Sequence, residues 1–349
     1  ITGDGVRSVE KLVQKGYAYE KLRSVYFDIS KLEEYGKLSN IDLKQMGRGK
    51  TVEGDDYAKD SPVDFALLKR STLSELKRGV YFKTRWGNVR PSWHLECAAI
   101  ALGHLGEQFD IHLSGADIIF PHCENVLAIG KAATGKKIAN YWLNAELVMV
   151  DAKKMSRSLN NAVTLAELED RGYRGKEIRF FLLGTHYRKP LSFSQGALET
   201  AKNTVRKLNG FVQRLICLAP GEGYPETDQC LYDVLQGFAA ALDDDLNVSG
   251  ALAALFEFVK RIGHPLSQGL LNARERDAVL EMLKKIDSVF GVMSFEEEKM
   301  PAEAERLLAE REAVRKTGNW EKADTIRRKL ADMGIEVRDF PEGTVWSFR

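Results

Sequence analysis

The 349-residue sequence has only four cysteines, Cys97, Cys123, Cys217 and Cys230, with no C-x-x-C pair among them. That excludes a disulfide-stapled secreted scaffold and fits a reducing, cytoplasmic setting. Net charge is almost absent, since 51 Lys and Arg against 50 Asp and Glu leave +1. No global field draws the chain onto nucleic acid or membrane, so any such binding rests on a local patch. The longest apolar stretch, around Ala251 to Val259, is far short of a membrane span. Nine prolines and 29 glycines are too few for a collagen-like or low-complexity chain. No internal repeat of roughly 20–50 residues is visible, which argues against a solenoid. No secretory signal opens the chain, and Ile1 stands where an initiator Met would, which points to a start inside a longer or processed product.

What is present is ordinary for a folded protein: 44% hydrophobic and 29% charged residues, at a length that suggests about two or three domains. Val9 to Lys15 reads as the end of a helix, Tyr19 to Ile29 as an alternating strand, and Lys44 to Asp60 as a polar surface loop. Helical patterns cover Trp93 to Leu102 and Asn125 to Thr134, and strand patterns cover Phe109 to Leu113 and Ala145 to Val150. Thr164 and Glu167 form a capping box that opens a further helix. This order suggests a parallel α/β layer. After about Ser192 the chain reads as all helix, with helical spacing in Ala201 to Leu218 and Ala251 to Ile262. Near the end, Pro301 starts a charged helix and Asn319 caps a second over Trp320 to Met333. Ile335 to Phe340 and Thr344 to Phe348 then flank a hairpin turn.

Two segments carry chemistry. Lys153-Lys154-Met155-Ser156-Arg157-Ser158 places cations and hydroxyls on a loop between a strand and a capped helix. Such a loop holds polyphosphate and stabilises the charge of leaving pyrophosphate, although a short basic run is by itself more often a solvated turn. The second runs from Trp93-His94-Leu95-Glu96-Cys97 through His112 to Phe120-Pro121-His122-Cys123-Glu124-Asn125. A thiol and an imidazole brought together there suit zinc, a buried structural pair, or, lowest ranked, a nucleophilic pair without an orienting group.

The order K-M-S-R-S is close to the K-M-S-K-S signature of class I aminoacyl-tRNA synthetases. The chain resembles the cysteine–tRNA ligase family from end to end. The matching segments include Gly16-Tyr17-Ala18-Tyr19, Tyr35-Gly36-Lys37-Leu38-Ser39, Trp93-His94-Leu95-Glu96-Cys97, Thr185-His186-Tyr187-Arg188, Asp243-Asp244-Asp245-Leu246-Asn247 and Gly343-Thr344-Val345-Trp346. The resemblance implies a fold that is α/β plus all-α. Residues 1–87 are part of a connective insertion, and 88–190 form the second half of a Rossmann-type catalytic domain. Residues 191–294 form a helical anticodon-binding bundle, and 295–349 a small α+β module that contacts tRNA.

It also implies roles for particular residues. Lys154, Ser156 and Arg157 serve catalysis, with Arg157 in place of the second lysine, while Asp117 and Lys154 meet ATP, taken as its Mg2+ complex. Trp93 and Cys97 lie against the substrate cysteine. Cys97 and His122 match two zinc ligands, but the glutamate expected four residues after that histidine is Val126, which leaves Cys123 and Glu124 as chemically able replacements. Leu113-Ser114-Gly115 thins the family's glycine-rich stretch, and Asn160-Asn161 stands where glycine then asparagine is usual. Arg315, Trp320, Asp324 and Asp339 match positions against the anticodon, as an aromatic face beside an Arg suits a splayed base. For Trp320 the competing reading is packing on the terminal hairpin.

The resemblance implies tRNA(Cys), cysteine and ATP as partners, with no membrane. The H-I-G-H motif of the family's first half is absent from these 349 residues, so they do not make a complete adenylating site by themselves. A truncated product or a separate chain bearing the N-terminal half would each account for that. The runner-up function is a degenerate paralogue that binds tRNA without charging it. A ligase joining cysteine to a sugar amine ranks behind both, because the anticodon-binding region is complete.

Overall fold

A computed structural model describes residues 2–42, 59–296, 301–340 and 343–348. The polar stretch Lys44 to Asp60 falls almost wholly outside them, as do Pro341 and Glu342 of the terminal turn. The chain divides into two compact units, Ile1–Leu147 and Val148–Arg349. Among the described residues no helix is long and apolar enough to cross a membrane.

In the first unit, helix α1 (Thr2–Gln14) leads into β1 (Ala18–Lys21) and β2 (Ser24–Phe27). The single strand expected over Tyr19 to Ile29 is in fact this hairpin, turned at Leu22 and Arg23 with φ of 49° and 66°. Two-residue turns of that kind need positive φ at both positions and usually announce themselves as Asn-Gly, a signal absent here. β3 (Phe65–Arg70), α2 (Leu73–Lys77), β4 (Phe82–Thr84) and β5 (Gly87–Pro91) follow. The resulting antiparallel sheet has the order β1-β2-β3-β5-β4.

α3 (Trp93–Leu105), β6 (Phe109–Gly115), α4 (Glu124–Thr134) and β7 (Ala139–Ala145) complete the unit. β6 and β7 pair in parallel, Ile111 opposite Tyr141 and Leu113 opposite Leu143. The strand expected over Ala145 to Val150 is therefore two elements, β7 ending at Ala145 and β8 (Val148–Val150) opening the second unit. One core joins Val9 and Leu12 of α1, Phe27 and Phe65 of the sheet, Leu95 of α3, and Val126 and Ile129 of α4. The expected boundary near residue 87 thus does not separate two cores.

In the second unit, β8 pairs antiparallel with β9 (Lys153–Lys154). Helices α5 (Leu165–Asp170) and α6 (Gly175–Leu183) follow, and β10 (Leu191–Phe193) then pairs in parallel with β8. The parallel α/β expectation is met by the β6–β7 and β8–β10 pairs. Thr164 caps α5 and Glu167 returns the bond to the Thr164 N–H, the capping box read from the sequence.

Four long helices form the bundle: α7 (Gln195–Ile216), α8 (Thr227–Asp243), α9 (Val248–Ser267) and α10 (Ala273–Phe290). They close on Val212, Leu215, Leu255, Ile262, Val279 and Leu283, each fully buried. The last elements are α11 (Ala302–Lys316), α12 (Trp320–Asp332) and the antiparallel hairpin β11 (Ile335–Phe340) with β12 (Gly343–Phe348), as expected. Asn319 caps α12 by accepting the Lys322 N–H. Ala304, Ile326, Leu330, Ile335 and Val337 form the module's own small core.

Candidate functional site

Ser92 starts α3 by accepting the Leu95 N–H at 3.3 Å. Trp93 and Cys97, four residues apart, then share one helix face. Trp93 is 79% exposed, an aromatic ring held outside the core. Desolvation, then the Glu96 carboxylate, raises the Cys97 thiol pKa. His94 Nδ1 lies 3.0 Å from His122 Nδ1, so one of the two nitrogens carries the proton and the other accepts it. Desolvation lowers the His122 pKa, which favours its neutral form. His112 stacks on Trp142 with ring centroids 4.2 Å apart, and its buried Nδ1 has no hydrogen-bond partner. The sequence set His112 within the thiol–imidazole segment without a role of its own, because nothing in its spacing sets it apart from the strand around it.

Cys123 and Glu124, the chemically able replacements, are both hydrogen-bonded to other groups in the structure. The buried Cys123 thiol donates to Ser114 Oγ at 3.2 Å, and Ser114 Oγ donates to Asn144 Oδ1 at 2.5 Å. Desolvation raises the Cys123 pKa, in keeping with a protonated thiol that donates. Glu124 is 1% exposed, and its carboxylate accepts from Gly36 N, Ser39 N and Ser39 Oγ, all at 2.8 Å. The neighbouring Asn125 Oδ1 accepts from Tyr35 Oη at 2.5 Å. These two residues thus anchor the Tyr35-Gly36-Lys37-Leu38-Ser39 segment.

Zinc sites use at least three protein ligands. Val126 is fully buried in the apolar core, and among the described residues no three His, Cys, Asp or Glu side chains converge on a metal position. The residues present do not fit zinc, and Cys97 and His122 lack a third partner here.

At the end of β6, the Asp117 carboxylate folds back over Gly115. A Cβ there would lie 2.5 Å from Asp117 Oδ1, so it would displace that carboxylate while leaving the backbone in place. Leu113 is 72% exposed and points its bulk to solvent, as do Ile111 and Tyr141 on the same face of the β6–β7 pair.

The K-M-S-R-S loop belongs to the second unit. Asp151 and Ala152, at φ of 49° and 59°, turn the chain from β8 into β9. Met155 N donates to Val148 O at 2.8 Å. Asn161, just past the loop, ties it back to its first half: its Oδ1 accepts from Ser156 N at 2.8 Å and its Nδ2 donates to Lys154 O at 3.0 Å. Ser156 Oγ accepts from Leu159 N and lies 3.1 Å from Ser158 Oγ. Asn160 sits at φ 52°, a left-handed position where asparagine is the usual substitute for glycine. Lys154 and Arg157 are both exposed on this frame.

In the terminal module, the Arg315 guanidinium lies 5.7 Å from the Trp320 ring centroid. Trp320 is 61% exposed, which leaves much of its ring open to solvent. Asp324 is exposed one turn further along α12. Asp339 is differently placed: Arg311 grips it with a two-bond fork at 2.8 and 2.7 Å, and Arg315 and Thr344 also reach it. The Arg311 fork holds its carboxyl down at about 2. Arg311, 3% exposed, was not legible as part of this cluster because its helix is charged on every side.

Residues 4–203 match the family described as tRNA synthetases class I (C) catalytic domain. Residues 237–295 match the DALR domain, and 297–346 the cysteinyl-tRNA ligase anticodon binding domain. Relatives include the cysteine–tRNA ligase of Protochlamydia amoebophila, 38% identical over 97% of this chain and 72% of its own length. Those of Chlamydia pneumoniae and Methanosarcina acetivorans are each 39% identical over the same shares. Among solved structures, a LeuRS–tRNA–LeuAMS complex from Agrobacterium radiobacter K84 aligns with 62% of this chain and 33% of its own, at TM-score 0.47 and 14% identity, too remote to add to the fold assignment. With catalytic, DALR and anticodon-binding regions in order along one chain, and whole-length relatives at this identity, the chain belongs to the cysteine–tRNA ligase family of class I aminoacyl-tRNA synthetases.

Proposed function

We propose that this chain serves ATP-dependent activation of cysteine and its transfer to tRNA(Cys). The observation that carries the reading is the form of the signature loop, with Lys154 and Arg157 exposed on a frame that Asn161 ties back to Lys154 and Ser156. Cations held in that way stabilise charge developing on a departing pyrophosphate without having to be ordered during the reaction. The Ser156 hydroxyl, beside Ser158, offers a donor to the same phosphates. In this reading Trp93 and Cys97 lie against the amino acid and Asp117, fixed over Gly115, meets ATP. Trp320 and Arg315 hold a splayed anticodon base by stacking and charge. Asp324 adds an acceptor on the same helix, while Asp339 orients Arg315 and contacts the anticodon beside it. We keep the four-part division at residues 87, 190 and 294 as a functional one, of which the anticodon-binding family match over 297–346 supports the last boundary.

The H-I-G-H histidines are absent from the 349 residues. We assign their part of adenylation to polypeptide outside those residues, in the same product or on a separate chain. The β6–β7 pair supports this, because parallel sheets are normally covered on both faces and here Ile111, Leu113 and Tyr141 are exposed. The test is cysteine-dependent ATP–pyrophosphate exchange by the 349-residue chain, alone and with a polypeptide covering the rest of the relatives' length. No exchange alone, and exchange on addition that Lys154→Ala lowers by about a hundredfold, is expected. Binding of tRNA(Cys) without exchange in either mixture would overturn the ligase reading.

A further inference from the structure

Two motifs of the sequence, Thr185-His186-Tyr187-Arg188 and Asp243-Asp244-Asp245-Leu246-Asn247, have no part in the site so far described. They meet at one residue. The turn from α8 to α9 carries Asp245 and Leu246 at φ of 53° and 56°. Neither is glycine, and for a branched side chain such as Leu246 the left-handed region is a costly place. What the turn gains is the placement of Asp245. Its carboxylate accepts from Tyr187 Oη at 2.6 Å and from Arg188 through a two-bond fork, Nε at 2.5 Å and Nη2 at 3.2 Å. Its backbone carbonyl lies 3.0 Å from His186 Nε2. Because His186 Nδ1 accepts the Arg188 N–H at 3.2 Å, the neutral ring carries its proton on Nε2 and donates to that carbonyl. His186 stacks on Tyr187, and Arg188 lies over the Tyr187 ring. Three consecutive side chains thus close on one aspartate.

The clamped segment leads directly to the signature loop. Three residues beyond Arg188 begins β10, which pairs along its whole length with β8, Leu191 opposite Val148 through Phe193 opposite Val150. β8 in turn holds β9 and accepts the Met155 N–H. The loop is itself strained, with Asp151, Ala152 and Asn160 all at positive φ. Ala152 has no polar side chain to offset that conformation, so the loop keeps its geometry only through the elements that support it. We propose that Asp245 is a positioning residue, which ties the helical bundle to β10 and, through β10 and β8, sets the K-M-S-R-S loop. The link deepens the proposed function, in which the bundle and module engage tRNA while the loop serves the adenylate, but its first test stands without that reading.

The substitution Asp245→Asn suits the test, because asparagine tolerates the left-handed backbone while losing the charged fork. Peptide-resolved hydrogen exchange on the whole 349-residue chain reads the result. Amides of residues 153–161 are expected to exchange about five- to tenfold faster, with α9 and α10 unchanged. Arg188→Ala should do the same from the other side, and the double variant should exceed neither single one, since all three break one link. A residue that merely stabilises the bundle would instead speed exchange in α8 to α10. That outcome overturns the proposal, as does unchanged exchange in 153–161 while 186–188 open. In a second arm, a tRNA(Cys) transcript should protect 153–161 in the parent chain and fail to do so in Asp245→Asn at unchanged affinity. Equal protection in both overturns the coupling. Failure of the transcript to bind the parent chain would count against the tRNA reading, while the first arm still decides the role of Asp245.

Discussion

Glu124→Gln tests whether this carboxylate is a structural acceptor or a metal ligand. Three donors point at it, Gly36 N on Oε1 and Ser39 N and Oγ on Oε2. Glutamine keeps one acceptor oxygen for Gly36 but sets an NH2 against the Ser39 N–H. The Ser39 hydroxyl can turn and accept, whereas its backbone N–H cannot. One buried N–H left unsatisfied costs about 1–3 kcal/mol, and the surviving bonds lose their charge assistance, so the total is about 2–4 kcal/mol. The bonds in question lie within one of two compact units, so a local readout resolves them best. Hydrogen exchange at Gly36 and Ser39 is local, and a loss of 2 kcal/mol appears there as about a 30-fold acceleration. Bound zinc should be the same in both proteins. A change of less than about threefold at those amides, or zinc lost with protection intact, would refute the reasoning.

Trp320→Ala should weaken tRNA(Cys) binding by about 1–3 kcal/mol through lost stacking, with no change in thermal stability because the ring is largely exposed. Filter binding against a melting curve separates the two effects. Asp339, held low by Arg311, contributes stability that is complete above the ordinary carboxylate pKa near pH 4 and lost as pH falls through about 2. With solvent screening of this partly exposed group the contribution is about 1 kcal/mol, so Asp339→Asn should flatten the pH dependence of urea unfolding in that window. Ala152→Gly relieves a left-handed alanine and should slow amide exchange in the signature loop by about fivefold. Gly115→Ala forces Asp117 off its seat and should weaken ATP binding about tenfold in calorimetry on the supplemented enzyme, with the fold retained.

The helices were legible because their signals are local. Asn319 before Trp320, the Thr164–Glu167 box and the apolar spacing of the bundle each act within one or two turns, and each is where the sequence put it. The β1–β2 hairpin was not legible, since Leu22 and Arg23 are poor residues for its turn and are held there by the five-stranded sheet around them. The β7 strand was hidden for another reason. Ala139–Ala145 alternates weakly, and its strand state follows from pairing with β6, a partner some thirty residues earlier.

The sequence by itself determined the family, the order of its regions and the identity of the signature loop, because ordered motifs and helical periodicity survive without any knowledge of contacts. It also determined that Val126 cannot ligate a metal, since that is a property of the side chain alone. Tertiary structure decided what the remaining polar residues do. Glu124 has the chemistry of a ligand, yet its oxygens are taken by Gly36 and Ser39, some 85 to 88 positions away in the chain. Asp245 reads as one of three acidic residues in a row, and only the fold brings His186, Tyr187 and Arg188 to it. A carboxylate's role depends on which donors arrive within 3 Å, and arrivals from distant segments are fixed by packing rather than by neighbouring sequence.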